Sequence, residues 1–366
     1  MISTHETLLS SGHLDPFNHG TTSLHYTDID IPLIADITEN MRTGWGVRGV
    51  LSVSRIFEGA EKPSNNFRVL TVDGNTFLYK TGHLNQTGVQ NAIHETLVYL
   101  AQQGTPVPHI YAARDDKSYR VSANGQIICL HEFIDGEHYD GSLIELKEEA
   151  KQLALLHRTL QRLPDQKTLQ DHLMPKFPHD KQTLAQLIGR VRANPVLDDF
   201  DEYVLKTLTI VEASSQGIDQ SALRDLPSQV IHYDIHPHNL LFDPKTNQLL
   251  AFIDFDTMCF SSRIMDVALA MHRAARTFGV NTERNNDIGG NMRSRARLFL
   301  STYEYFNPLT ALEIRNIATI LQDRSLGQIQ YILYNHYVRG DPKWSFDLQK
   351  QITLMQEAQA LALVFS

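Results

Sequence analysis

Residues 230–243, VIHYDIHPHNLLFD, set three histidines, two aspartates and an asparagine between apolar flanks. Two chemistries are open to such a stretch. Metal binding would need His232, His236 and His238 to project toward one ion, yet His236 and His238 straddle Pro237 and no cysteine or fourth well-spaced ligand accompanies them. Phosphoryl transfer needs a carboxylate to orient and deprotonate a hydroxyl, and an amide oxygen plus a second carboxylate to hold Mg²⁺ against nucleotide phosphates. The stretch supplies His-x-Asp, four residues and then Asn, followed beyond a polar turn by another aspartate in IDFD. The spacing favours this second chemistry, with Asp234 as proton acceptor and Asn239 and Asp254 as metal ligands. His232 is expected to brace the loop by hydrogen bonds. Asp256 is expected either to touch substrate or a second metal, or to act as a bracing carboxylate.

The elements that must position these groups can be read from periodicity. NLLFD and QLLAFID flank the polar turn PKTN, so Asn239 and Asp254 sit at the two ends of a small hairpin. Upstream, Asp30 offers an N-cap and Pro32 a first turn for a short amphipathic helix through Leu33, Ile34, Ile37 and Met41. From Val50 onward GVLSVSRIF and FRVLTVDGNTFLYKTG alternate as strands, joined at Asp73-Gly74, and Asn124-Gly125 marks a further hairpin. Lys80 lies on the face opposite Phe77 and Tyr79, where its ammonium could reach nucleotide phosphates. Glu95 lies on the next helix, GVQNAIHETLVYLAQQG, and a Lys-Glu pair between sheet and helix would hold Lys80 in place. The best helix signal follows Ser142, an N-cap with Glu145 three residues on and a stripe of Leu146, Ala150, Leu153, Leu156 and Leu160.

Beyond residue 136 the chain reads as mostly helical. The expected organisation is an arm over residues 1–28, an N-terminal lobe over 29–136 and a helical C-terminal lobe over 137–366 carrying the catalytic loop and a substrate pocket. The 42% hydrophobic content suits a soluble globular protein, and the net charge of −9 lacks the basic footprint of a nucleic-acid binder. No window resembles a signal peptide or a membrane span, and Cys129 and Cys259 each lie in an apolar run, as buried reduced thiols do. A cytoplasmic protein that is not inserted in a membrane is expected.

HYDIHPHNLLF with AFIDFD resembles the aminoglycoside phosphotransferase and choline kinase family, small-molecule kinases of the protein-kinase-like fold. LALLHRTL is similar to that family's Leu-x-x-Leu-His helix, and the likeness extends over most of the chain. The resemblance implies a two-lobed α+β fold, an N-terminal antiparallel sheet plus helix with a mostly helical C-terminal lobe, and ATP and Mg²⁺ as cofactors. It implies that Lys80 steadies the phosphates and Glu95 steadies Lys80. FEGAEKPSNNFRV is similar to the family's looser phosphate loop, in which Gly59 would let the backbone approach phosphate and Ser64, Asn65 and Asn66 would donate hydrogen bonds; a plain hairpin loop would need no ligand. Backbone groups near Glu132 and Ile134 would pair with the adenine edge. The chain departs from the family at Tyr233 and His238, where glycine is common.

Only DFDTMCFSSRIM separates Asp254 from the next helix, so the long segment on which protein kinases seat a peptide is missing. The expected acceptor is a small hydroxylated metabolite, a sugar or an amino-alcohol, in the manner of homoserine kinases and sugar kinases. The alternatives are an aminoglycoside-inactivating enzyme and a non-catalytic nucleotide-binding protein on the same fold. The arginines and tyrosines of RSLGQIQYILYNHYVRGD suit a sugar or hydroxy amino acid, or else a solvated face.

Overall fold

Alternating residues between His25 and Glu132 build one six-stranded sheet in the computed structural model, which describes residues 25–365 apart from 28, 58–62, 84–86, 123–124, 176–177, 197 and 277–287. Its strands are β1 (His25–Thr27), β2 (Val50–Phe57), β3 (Pro63–Thr71), β4 (Thr76–His83), β5 (Arg120–Val121) and β6 (Gln126–Glu132). The order is β1-β2-β3-β4-β6-β5, with every neighbouring pair antiparallel. Most of the arm expected over residues 1–28 lies outside the described residues, but its end forms the edge strand β1. The turn at Asp73-Gly74 forms as expected, with Gly74 at φ +84°, a conformation glycine adopts without steric cost.

The chain divides into two compact units, each assembled from separated segments. One holds the described residues within 25–174 and 230–260; the other holds those within 175–229 and 261–365. In the first unit, Val53, Phe67, Val69, Phe77, Tyr79, Ile128 and Leu130 line one face of the sheet and pack with Ile37 and Met41 of α1 (Ile31–Trp45). Each such side chain stabilises the fold by about 1.5–3 kcal/mol when fully buried. Asp30 caps α1 by accepting from the Leu33 N–H, and Gly46 closes it at φ +74°. The other face of the sheet meets α2 (Thr87–Gln102), where the His94 ring touches His131 edge-on at 5.5 Å. α3 (Leu143–Gln161) starts at Ser142 as its sequence indicates, buries the predicted stripe, and packs on the strand Leu249–Phe252. That strand pairs with Leu240–Phe242 as the expected hairpin.

The second unit is helical. Leu184, Ile188, Val204, Leu208, Ile329 and Ile352, from the helices Lys181–Ala193, Asp199–Gly217, Ile317–Tyr334 and Leu348–Phe365, form its core. Arg324 is buried, the Tyr337 hydroxyl donates to Asp201 at 2.7 Å, and Arg339 lies over the Tyr334 ring, so these residues of the RSLGQIQYILYNHYVRGD stretch are engaged inside the unit. Asp266 is fully buried in the first turn of Ile264–Ala275, where the N-cap is Arg263. No described helix is long and apolar enough to cross a membrane.

Candidate active site

His232 is completely buried and both of its ring nitrogens are occupied. Nε2 lies 2.9 Å from the Ile253 carbonyl, and Nδ1 accepts the Asp234 N–H at 3.3 Å, which places the ring proton on Nε2. The ring also rests on Phe255 at 4.4 Å. This histidine braces the loop and has no nitrogen left for a metal. Tyr233 takes φ +74° although it carries a side chain, a conformation that costs an L-residue about 1–2 kcal/mol. The loop therefore keeps the left-handed backbone that a glycine would supply, and the burial of the Tyr233 ring works against the strain. Asp234 follows with its carboxylate about one-third exposed and the His236 Nε2 at 3.4 Å.

Asn239 ties the loop together. Its Nδ2 donates to the Asp234 carbonyl at 2.8 Å, its N–H donates to the His236 carbonyl at 2.8 Å, and its own carbonyl accepts the Ile253 N–H at 3.0 Å. With Nδ2 committed, Oδ1 is the side-chain atom left to meet a cation. One residue beyond Ile253, Asp254 takes φ +61° at the exit of the hairpin.

Lys80 crosses 174 positions of sequence to reach Asp254 at 3.4 Å, and it reaches Asp256 at 2.8 Å. Asp256 is thus the nearer partner, a role that needs no substrate contact. Two carboxylates, each more than two-fifths exposed, face one ammonium, so the group carries surplus negative charge on its open side. The expected Lys80–Glu95 pair is not formed. Glu95 is exposed, because the inward stripe of α2 is Gln90, Ile93, His94 and Leu97, and Glu95 lies about 100° round the helix from His94. The aspartates of the hairpin hold the lysine instead. The helical period of that stripe was the signal that could have excluded Glu95.

Beside Lys80 a cleft opens to solvent. Ile56, Leu78, Ile93 and Leu97 make an apolar wall, and Lys80, Asp254 and Asp256 make the charged end. Asn66 lines it from its place opposite Lys80 in the β3–β4 register. Gly59 lies outside the described residues. Ser64 and Asn65 belong to β3 and not to a loop, since the strand begins at Pro63. Glu132 and Ile134 both border the cleft, but the Glu132 N–H already donates to the His109 carbonyl at 2.8 Å and its carboxylate accepts the His109 N–H at 3.1 Å. That N–H cannot meet a base edge, which leaves the Glu132 carbonyl and the backbone around Phe133 and Ile134.

Residues 57–299 match the phosphotransferase enzyme family. A homoserine kinase of Zymomonas mobilis is 26% identical over 222 residues, 60% of this chain and 64% of that protein, so the match spans somewhat under two thirds of the relative. Among solved structures, an amicoumacin kinase in complex with AMP-PNP, Ca²⁺ and Ami superposes with a TM-score of 0.62 at 13% identity, covering 90% of this chain and 94% of that one. A spectinomycin phosphotransferase in complex with ADP and spectinomycin gives 0.62 at 12% identity, covering 93% and 99%. The fold is that of the protein-kinase-like phosphotransferases, and with its family match running over well more than half its length, the chain belongs to the phosphotransferase enzyme family.

Proposed function

We propose that the protein is an ATP-dependent kinase of a small hydroxylated metabolite, acting in the cytoplasm. The observation that carries this reading is the convergence of Asp234, Asn239, Asp254 and Lys80 around one braced loop and hairpin, next to a cleft open to solvent that Lys80 and Asp254 line. Asp234, partly exposed and held by a loop whose histidine is fully hydrogen-bonded, orients the acceptor hydroxyl and takes its proton as the oxygen attacks the γ-phosphorus in line. Lys80 offers its ammonium to the phosphate oxygens and is kept from wandering by Asp254 and Asp256. The Asn239 Oδ1 and the Asp254 carboxylate would hold Mg²⁺; their oxygen-only donor set and the surplus negative charge fit that ion. Bound there, Mg²⁺ supplies charge neutralisation for the phosphates.

The homoserine kinase among the relatives supports a hydroxy amino acid or amino-alcohol as acceptor. The two buried cysteines, neither of them in a disulfide, suit a reducing compartment. The test is thermal shift with Mg²⁺-ATP followed by ADP release across hydroxy amino acids, amino-alcohols, sugars and aminoglycosides. Nucleotide stabilisation with acceptor-dependent ADP release supports the reading, since a ligand that binds only the folded state raises its stability. Absence of any nucleotide shift sinks it.

A further inference from the structure

The sheet face that carries Lys80 also carries two groups that phosphoryl transfer does not use. In the β4–β6 register Lys80 stands opposite Cys129 and Leu78 opposite His131, so all four side chains project to one side. α2 lays His94 on that side. One ligand-type atom from each of His94, Cys129 and His131 lies within 4.8 Å of the other two, and the three residues are 1%, 3% and 8% exposed. No other group of three or more such side chains occurs among the described residues.

Two polar atoms in this cluster are enclosed and have no hydrogen-bond partner: Nδ1 of His94 and Nε2 of His131. Leaving such an atom unsatisfied costs about 1–3 kcal/mol, and native interiors rarely do so. The other nitrogen of His94 is held by the Gln90 side-chain amide at 2.7 Å. The amide nitrogen of Gln90 faces that Nε2, which puts the ring proton on Nδ1; a half-turn of the amide presents its oxygen instead, so that Nε2 carries the proton and the Nδ1 lone pair is bare, an outer hydrogen bond of the kind that orients metal-bound histidines.

We propose that His94, Cys129 and His131 form a binding site for a thiophilic divalent transition-metal ion, Zn²⁺ in the first place, behind the cleft. Two imidazoles and a thiolate are its preferred donors, and three protein ligands leave one coordination position for water. Burial, aided by the nearby Lys80 charge, drives His94 down to about 4 and His131 to about 3, so both rings are neutral and able to ligate. Burial pushes the Cys129 thiol up to about 12, so the metal-free protein holds it protonated; on binding, the S–H bond breaks, sulfur bonds to the ion and one proton leaves to solvent. The occupied site ties α2 to β6 and sets a dication beside the lysine of the cleft.

The probe is Co²⁺ added to the chelator-treated full-length protein, followed by its thiolate-to-cobalt charge-transfer band and by proton release. One equivalent of Co²⁺ developing the band and releasing one proton is expected, with Zn²⁺ displacing it and raising the unfolding temperature. Cys129→Ser should abolish the band, and His131→Gln should weaken binding about 100-fold or more, since even outer-shell changes cost 10–100-fold. Cys259→Ser should leave both unchanged. A wild-type titration without a thiolate band, or a band that survives Cys129→Ser, overturns the site and leaves the cluster as ordinary packing. Should Cys129→Ser fail to fold, native mass spectrometry of the wild type decides, with one Zn²⁺ per chain required. None of these readouts involves nucleotide or acceptor, so the site stands or falls apart from the kinase reading.

Discussion

Lys80 meets Asp254 at 3.4 Å and Asp256 at 2.8 Å with both carboxylates nearly half exposed, whereas in the helical unit Glu357 receives Arg276 at 2.6 Å and the His272 ring at 2.8 Å with only 14% of its side chain exposed. Arg263 and Glu313 repeat the closed arrangement, joined by two hydrogen bonds of 2.7 and 3.0 Å. Pairings of basic with acidic side chains thus serve two ends. A closed pair matches its donors to its acceptors and leaves nothing for a ligand. The open group keeps one carboxylate in excess and half in water, at little cost to folding and with room for phosphates and a cation.

Breaking each group should expose that difference. The largest effect is expected at the loop beside the open group: Asp234→Asn lowers turnover about 10²–10⁴-fold, the usual contribution of a general base, while stabilisation by nucleotide persists in thermal shift. Unchanged turnover would remove Asp234 from its role. Next, Glu357→Gln leaves Arg276 buried without its counter-charge and should cost about 3–5 kcal/mol in denaturant unfolding, against less than about 1 kcal/mol for Asp256→Asn in the open group. Equal losses at the two sites would erase the distinction.

Titration sharpens it further. Burial would raise the Glu357 carboxyl, but hydrogen bonds from Arg276 and His272 outweigh that and hold it at about 2. Its stabilisation is present above about pH 4.5 and lost as the pH falls toward 2. Glu145 at the start of α3 behaves oppositely: burial, first, raises it to about 8, against the pull of the Asp140 N–H bonded to it. Its contribution is present below its ordinary 4.5 and fades as the pH rises through 8. Glu145→Gln should therefore flatten the stability profile between those limits, as read by unfolding midpoints at pH 5 and pH 9. The smallest effect is expected at Glu95, where Glu95→Ala should change stability by less than about 0.5 kcal/mol and leave the nucleotide KM in place, because the residue is exposed and far round the helix from Lys80. A raised KM would restore the lysine-glutamate pair.

Much of the first unit could be read from the sequence because its signals are local. Asp30, Pro32 and Gly46 bound α1, Ser142 starts α3, and Asp73-Gly74 turns β3 into β4, each through contacts within a few residues. The spacing within the loop from His232 to Asn239 was legible for the same reason, since the hydrogen bonds inside the loop run over two to five positions. Misreadings fell where faces and distant partners matter. Glu95 was expected to pair with Lys80 although it lies one residue off the inward stripe, and of the backbone groups expected near Glu132 the N–H is already held by His109.

By itself the sequence determined the order of the elements, the caps and turns that end them, and the spacing of Asp234 and Asn239, because these depend on backbone geometry and on side chains reaching a few residues along the chain. Only the tertiary structure decided that Lys80 is held by Asp254 and Asp256, and that Cys129 lies with His94 and His131 in one buried cluster. The physical reason is that such meetings follow from strand register and from which stripe of α2 faces the sheet. A shift of one residue in either would turn every one of these side chains away.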